Sequence, residues 1–323
     1  MQTRKKILSI LIKLLIGVGS FLIIYIRLKS DFTPEKLDLL FASAFSATGV
    51  FCFLFCLVLI PVNWGIEAYK WKLITAPIQW ISYKTATRSV YAGVCLGNLA
   101  PGRATEFLAK IIFFKIENRP KITVLHFVGG MFQLSITIIC GFLALVSMLR
   151  NFGGDSAWMT YTTSIIGVVL LLTLALCIYR INDLLNFISK KISKQSKIEN
   201  FDYKFTATSL FKLFGFSAIR YSVFFLQFVL LIFLFHREIS ISIFPEIALY
   251  FLITTTIPMI SVLEAAIRAA IALVVFKDSG ISNSALALSS LLIWLVNIIV
   301  PSIFGYVILL KQNFNFKLFK TKK

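Results

Sequence analysis

Long runs of apolar residues, separated by short basic or mixed-charge segments, organise this chain from end to end. Six are long enough to cross a hydrocarbon core of about 30 Å as helix, which takes about 20 residues. They cover approximately 7–26, 41–62, 122–148, 160–180, 209–235 and 284–310. Two further apolar regions are interrupted, 86–117 at Pro101-Gly102-Arg103 and 246–276 at Pro258. Proline removes a helical hydrogen bond and crowds the preceding turn, so each of these regions predicts a broken helix.

Charge between the runs predicts their orientation, because basic loops stay on the cytoplasmic side. The N-terminus (Arg4, Lys5, Lys6, Lys13), segment 63–88 (Lys70, Lys72, Lys84, Arg88), segment 115–121, segment 180–212 and the lysine-rich tail are basic. Segments 27–40, 149–159 and 236–246 suit the outside. Each broken region then starts and ends on one side, 86–117 on the inside and 246–276 on the outside. The expected fold is an all-α transmembrane bundle of six full spans plus two broken re-entrant segments. It forms a single domain over 1–323, with pseudo-repeats 1–150 and 151–323 in inverted orientation, an arrangement known in transporters. The alternative is a bundle of eight full spans. Leu184, Ile188 and Ile192 beside Lys190, Lys191 and Lys194 fit either an interfacial amphipathic helix or a solvated basic linker. The first run follows Arg4-Lys5-Lys6 with no small-x-small site after it, which suits an uncleaved span.

Composition supports the membrane reading. Apolar residues make up 58% of the 323 positions and charged residues 15%, with mean hydropathy +0.87. Soluble domains are nearer ~25% charged. The net charge of +19 would suggest nucleic acid for a soluble protein, but these cations sit between the apolar spans, and no nucleic-acid partner is expected. The five cysteines lie in apolar runs, with Cys52 and Cys56 four apart on one helix face, a spacing for packing rather than a disulfide. Two distant histidines, His126 and His236, leave little for a metal centre. No cofactor is expected. The chain has no Asp-x-Asp cluster and no phosphate-binding glycine loop, so metal-dependent sugar transfer and ATP-driven pumping by this chain alone are not expected.

Ionisable groups at membrane depth carry the most information, since each costs several kcal/mol there unless paired or hydrated. Past the first break, Arg103, Glu106 and Lys110 are spaced to share a helix face, with Glu106 and Lys110 at i,i+4. Past the second, Glu264 and Arg268 repeat the acid–base spacing. These pairs fit two roles: neutralising buried charge, or presenting Arg103, Lys110 and Arg268 to an anionic head group. In the second role Glu106 and Glu264 orient the cations, or meet a cationic group on the ligand. Arg220 lies within its span and is expected to snorkel to the cytoplasmic interface or to join the site. Asn297 suits a helix-to-helix hydrogen bond, and Trp64, Trp71 and Trp80 suit an aromatic belt at the membrane boundary. Asn63, Lys70 and Asn98 complete the candidate substrate-binding set, with Pro101, Gly102 and Pro258 as the structural breaks.

Asn63-Trp64 followed by Lys70-Trp71-Lys72, then Leu99-Ala100-Pro101-Gly102-Arg103-Ala104-Thr105-Glu106, resemble signatures of the lysylphosphatidylglycerol synthase transmembrane-region family, also called flippase-like domain proteins. Pro258 through Glu264 to Arg268, and Trp294 with Asn297, Pro301 and Gly305, resemble its C-terminal signatures. Thr105, Val262 and Leu263 stand where the family usually has glycine. The resemblance implies a bacterial inner-membrane protein related to the flippase half of multiple peptide resistance factors, with no enzymatic activity of its own. Its expected ligand is a phospholipid or lipid-linked intermediate with a charged head group. Alternatives are a membrane enzyme subunit acting on polyprenyl-linked lipids and an accessory protein that binds lipid without moving it. A second copy of the chain or a membrane enzyme is the protein partner such a role suggests.

Overall fold

The computed structural model describes residues 21–29, 33–100, 103–151, 157–187, 204–257 and 263–312. These residues form helices joined by short turns, with no strand among them. Five helical stretches are long and apolar enough to cross a membrane: Ala47–Thr75, Ile116–Leu149, Tyr161–Tyr179, Ala207–Phe235 and Asn283–Leu310. The protein is a multi-pass membrane protein. Most of the first expected span, Pro101, Gly102, Pro258, Ile188, Ile192 and the tail lysines from Lys317 onward lie outside the described residues.

We number the helices α1 Pro34–Phe45, α2 Ala47–Thr75, α3 Tyr83–Gly97, α4 Glu106–Ile111, α5 Arg119–Asn151, α6 Ala157–Tyr179, α7 Ala207–Phe235, α8 Phe244–Thr256 and α9 Glu264–Val275. The last two are α10 Asn283–Trp294 and α11 Val300–Leu310. Side-chain oxygens start several of them. Ser46, Ser82, Thr206 and Ser282 accept from the amides of Gly49, Thr85, Ser209 and Ala285 at the first turns of α2, α3, α7 and α10. Ser46, in extended conformation, also divides α1 from α2.

The expected boundaries of α2 need correction. Segment 63–88 is not a loop as far as residue 75: α2 runs on to Thr75, 29 residues or about 43 Å of helix. Lys70 is consequently buried, as are Trp64 and Trp71, which belong to the core rather than to an aromatic belt. Trp80 alone of the three is exposed. Segment 27–40 likewise contains the start of α1 rather than open loop. Lysine pulled the boundary reading toward solvent, whereas here its charge is met inside by a carboxylate.

The interrupted regions fold as pairs of short helices. α3 and α4 have 15 and 6 residues, α8 and α9 have 13 and 12, each below the ~20 needed to cross. α3 packs along α11 from the far end of the chain, and α8 packs along α5. Glycine allows both close approaches: a β-carbon on Gly305 would meet the Tyr91 carbonyl oxygen at 2.0 Å, and one on Gly141 would meet Leu252 at 2.4 Å. α2 and α7, of equal length, cross at the centre, where Gln227 Nε2 donates to the Cys56 carbonyl at 3.1 Å. Nearby, Phe228 stacks on Tyr250 with ring centres 4.7 Å apart.

Candidate functional site

α2 carries the centre of the site because Asn63, Trp64, Glu67, Lys70 and Trp71 recur at helical spacing on its inner face. The Glu67 carboxylate accepts three cations. Lys70 Nζ lies at 2.9 Å, Arg220 from α7 at 3.2 Å and Lys110 from α4 at 3.6 Å. Lys110 Nζ also reaches Glu106 at 2.8 Å, and Glu106 holds Arg103 Nε at 3.1 Å. Six ionised side chains from three elements thus form one continuous network. Lys70 and Lys110 are almost fully buried, each at 2% side-chain exposure, and Lys70 also approaches Ser217 Oγ at 3.4 Å.

Two glycines let α4 lie against α3. A β-carbon at Gly93 would fall 2.9 Å from Lys110 Cγ, and one at Gly97 would fall 3.1 Å from Glu106 Cβ. Arg103, at the entrance to α4, has φ +55°. A non-glycine residue in that left-handed region is strained, and such strain persists only where surroundings fix it. Here the ion pair to Glu106 and the Trp64 ring, 5.9 Å from the guanidinium carbon, hold it. Arg220 lies against the same ring at 4.8 Å and against Phe224 at 5.2 Å. Such contacts are worth about 0.5–1 kcal/mol where exposed and about 2 kcal/mol or more where desolvated, as Arg220 is.

Between these groups and the second broken region lies a cavity of about 280 Å³. Its walls include Gly97, Asn98 and Arg103 from the first break and Thr254, Glu264 and Arg268 from the second. Trp64, Arg220, Trp294 and Asn297 close the sides. Glu264 Oε1 accepts both Arg268 Nε at 3.0 Å and Nη2 at 2.8 Å, so this pair is locked side-on. Asn297 sits in a π-helical turn, Leu295–Ile299, between α10 and α11. Pro301 follows four residues after it and cannot donate back to its carbonyl, the local reason for the bulge.

Of the sequence candidates, Arg103, Arg220, Glu264, Arg268 and Asn98 line the cavity. Glu106 and Asn63 stand behind it, each bonded to a lining arginine, and Lys110 and Lys70 stand one step further back, on Glu106 and Glu67. Arg220 does not snorkel: it is 8% exposed and held by Glu67 and by Asn63, to whose Oδ1 its Nε donates at 3.0 Å. Asn297 makes the helix-to-helix bond expected of it, accepting from Asn63 Nδ2 at 3.0 Å. Glu67 and the two lining tryptophans, Trp64 and Trp294, were missed as site residues. The i,i+3 spacing of Glu67 to Lys70, one turn past Asn63, was the available signal, hidden once 63–88 is read as loop. No family model matches the chain, and no match to a curated protein sequence was found.

Proposed function

We propose that this protein binds the head group of an anionic phospholipid or lipid-linked intermediate in the central cavity and moves it between leaflets, with no energy source of its own. One observation carries the reading: residues from both interrupted segments, Gly97, Asn98 and Arg103 from one and Thr254, Glu264 and Arg268 from the other, wall a single charged cavity. Broken helices meeting at a shared polar site are how many transporters hold a substrate at mid-membrane. Eight of the residues that resemble the flippase-like signatures, Asn63, Trp64, Arg103, Glu106, Glu264, Arg268, Trp294 and Asn297, line that cavity or bond to a group that does. In this reading the two breaks enter from opposite faces. The chain forms an inverted repeat of six spans and two re-entrant segments with both termini cytoplasmic, in a bacterial inner membrane. The exchanged packing of α3 on α11 and α8 on α5 supports the repeat.

Reconstitution into vesicles carrying fluorescent phospholipids tests it. Protein-dependent loss of leaflet asymmetry is the expected result, reduced by Arg268→Gln at unchanged protein level. Lipid that co-purifies without exchanging leaflets would indicate an accessory binding role. Product formed from a labelled polyprenyl-linked donor would indicate a membrane enzyme subunit instead.

A further inference from the structure

The hydrogen bonds behind the cavity have a forced direction. The guanidinium of Arg220 has no acceptor, so its Nε must donate to Asn63, and Asn63 must present Oδ1 to it. Asn63 Nδ2 therefore donates onward to Asn297 Oδ1. Asn297 is left with Nδ2, a buried donor that has no hydrogen-bond partner among the described residues. The amide orientation at the cavity wall is thus dictated by an arginine two residues back along the chain of bonds. The same condition holds for Trp64 Nε1, Trp294 Nε1 and Arg103 Nη2, each a buried donor without a hydrogen-bond partner, on side chains that line the cavity.

The charge balance agrees with the donors. The wall carries Arg103, Arg220 and Arg268 against Glu264 alone. Behind it, Glu67 and Glu106 are matched in number by Lys70 and Lys110. The site therefore holds an excess of two positive charges. Four orphaned buried donors among the described residues of the wall, against one orphaned acceptor, Gln133 Oε1, together with the surplus of cations, favour a ligand rich in acceptors and negative charge.

From this we infer that the head-group site selects a dianionic phosphate, a phosphomonoester or diphosphate, over a singly charged phosphodiester, and rejects a head group of net positive charge. The inference rests on the head-group reading above and narrows it. A cationic head group, such as that of an aminoacylated phospholipid, would add charge of the sign already in surplus.

Quenching of intrinsic tryptophan fluorescence suits the test, since Trp64 and Trp294 lie in the wall. The detergent-solubilised protein is titrated with short-chain phosphatidic acid, phosphatidylglycerol and lysyl-phosphatidylglycerol, and separately with inorganic pyrophosphate. Phosphatidic acid should bind about tenfold or more tighter than phosphatidylglycerol, with the lysyl lipid weakest. Competition by pyrophosphate would place the recognition in the phosphate itself and admit a soluble source. Binding of phosphatidic acid without such competition would assign it to lipid. Asn297→Asp, which still accepts from Asn63 but turns the wall donor into a carboxylate, should abolish the preference. Trp294→Phe removes one donor, keeps an aromatic ring, and should weaken phosphatidic acid severalfold and phosphatidylglycerol by a smaller factor. Equal affinity for the two anionic lipids, or tighter binding of the lysyl lipid, overturns the inference and leaves the translocation reading standing. No binding of any lipid overturns both.

Discussion

Glu67→Gln removes one negative charge from a point where three cations meet at 2.9, 3.2 and 3.6 Å, and changes the volume little. Lys110 keeps Glu106 at 2.8 Å. Lys70 and Arg220 keep only neutral partners, the Ser217 hydroxyl and the Asn63 amide. The Glu67 side chain is 12% exposed and that of Lys70 2%, so solvent screens these charges weakly. Removing one member of a buried ion pair costs roughly 3–5 kcal/mol, because the other charge is left in a low-dielectric setting. We expect a loss of that size in denaturant unfolding of the detergent-solubilised protein. Glu67→Gln combined with Lys70→Met should recover more than half of it, since the stranded ammonium is removed with its partner. A single variant within about 1 kcal/mol of wild type would be the size expected of an exposed pair and would refute the buried-network reasoning. So would a double variant no more stable than the single one.

Gly305→Ala should lower stability by about 1–3 kcal/mol, the usual cost of overpacking, because its β-carbon meets the Tyr91 backbone at 2.0 Å. Gly130→Ala, with nothing within 4 Å, should instead stabilise by about 0.5–1 kcal/mol. The same unfolding measurement reads both. Arg103→Gly relieves a left-handed strain of roughly 1–2 kcal/mol and gives up a half-exposed ion pair. Stability should hold within about 1 kcal/mol while lipid exchange falls sharply, and a parallel loss of both would make Arg103 scaffolding. A reporter placed after Lys115 should be cytoplasmic, and a periplasmic signal there would support eight full spans.

The long apolar spans and the paired breaks could be read from the chain because each depends on residues close in sequence. A run of about 20 apolar residues must be satisfied within itself in lipid, and acid–base pairs at i,i+4 meet on any helix. Glu106 with Lys110 and Glu264 with Arg268 accordingly stand at 2.8 Å in each case. Glu67 was different. Its spacing to Lys70 is local, but its partners Lys110 and Arg220 come from two other elements. Only packing of α2 against α3 and α7, and of α4 against α3, brings them within reach. The loop placement of Lys70 and the snorkelling alternative for Arg220 fail for the same reason, since burial of a cation depends on whether a distant carboxylate meets it. The polarity of the cavity wall lies furthest from what composition or spacing can tell. It passes from Arg220 to Asn63 across 157 positions and from Asn63 to Asn297 across 234. Which end of an amide faces the cavity depends on a donor that only the folded chain places beside it.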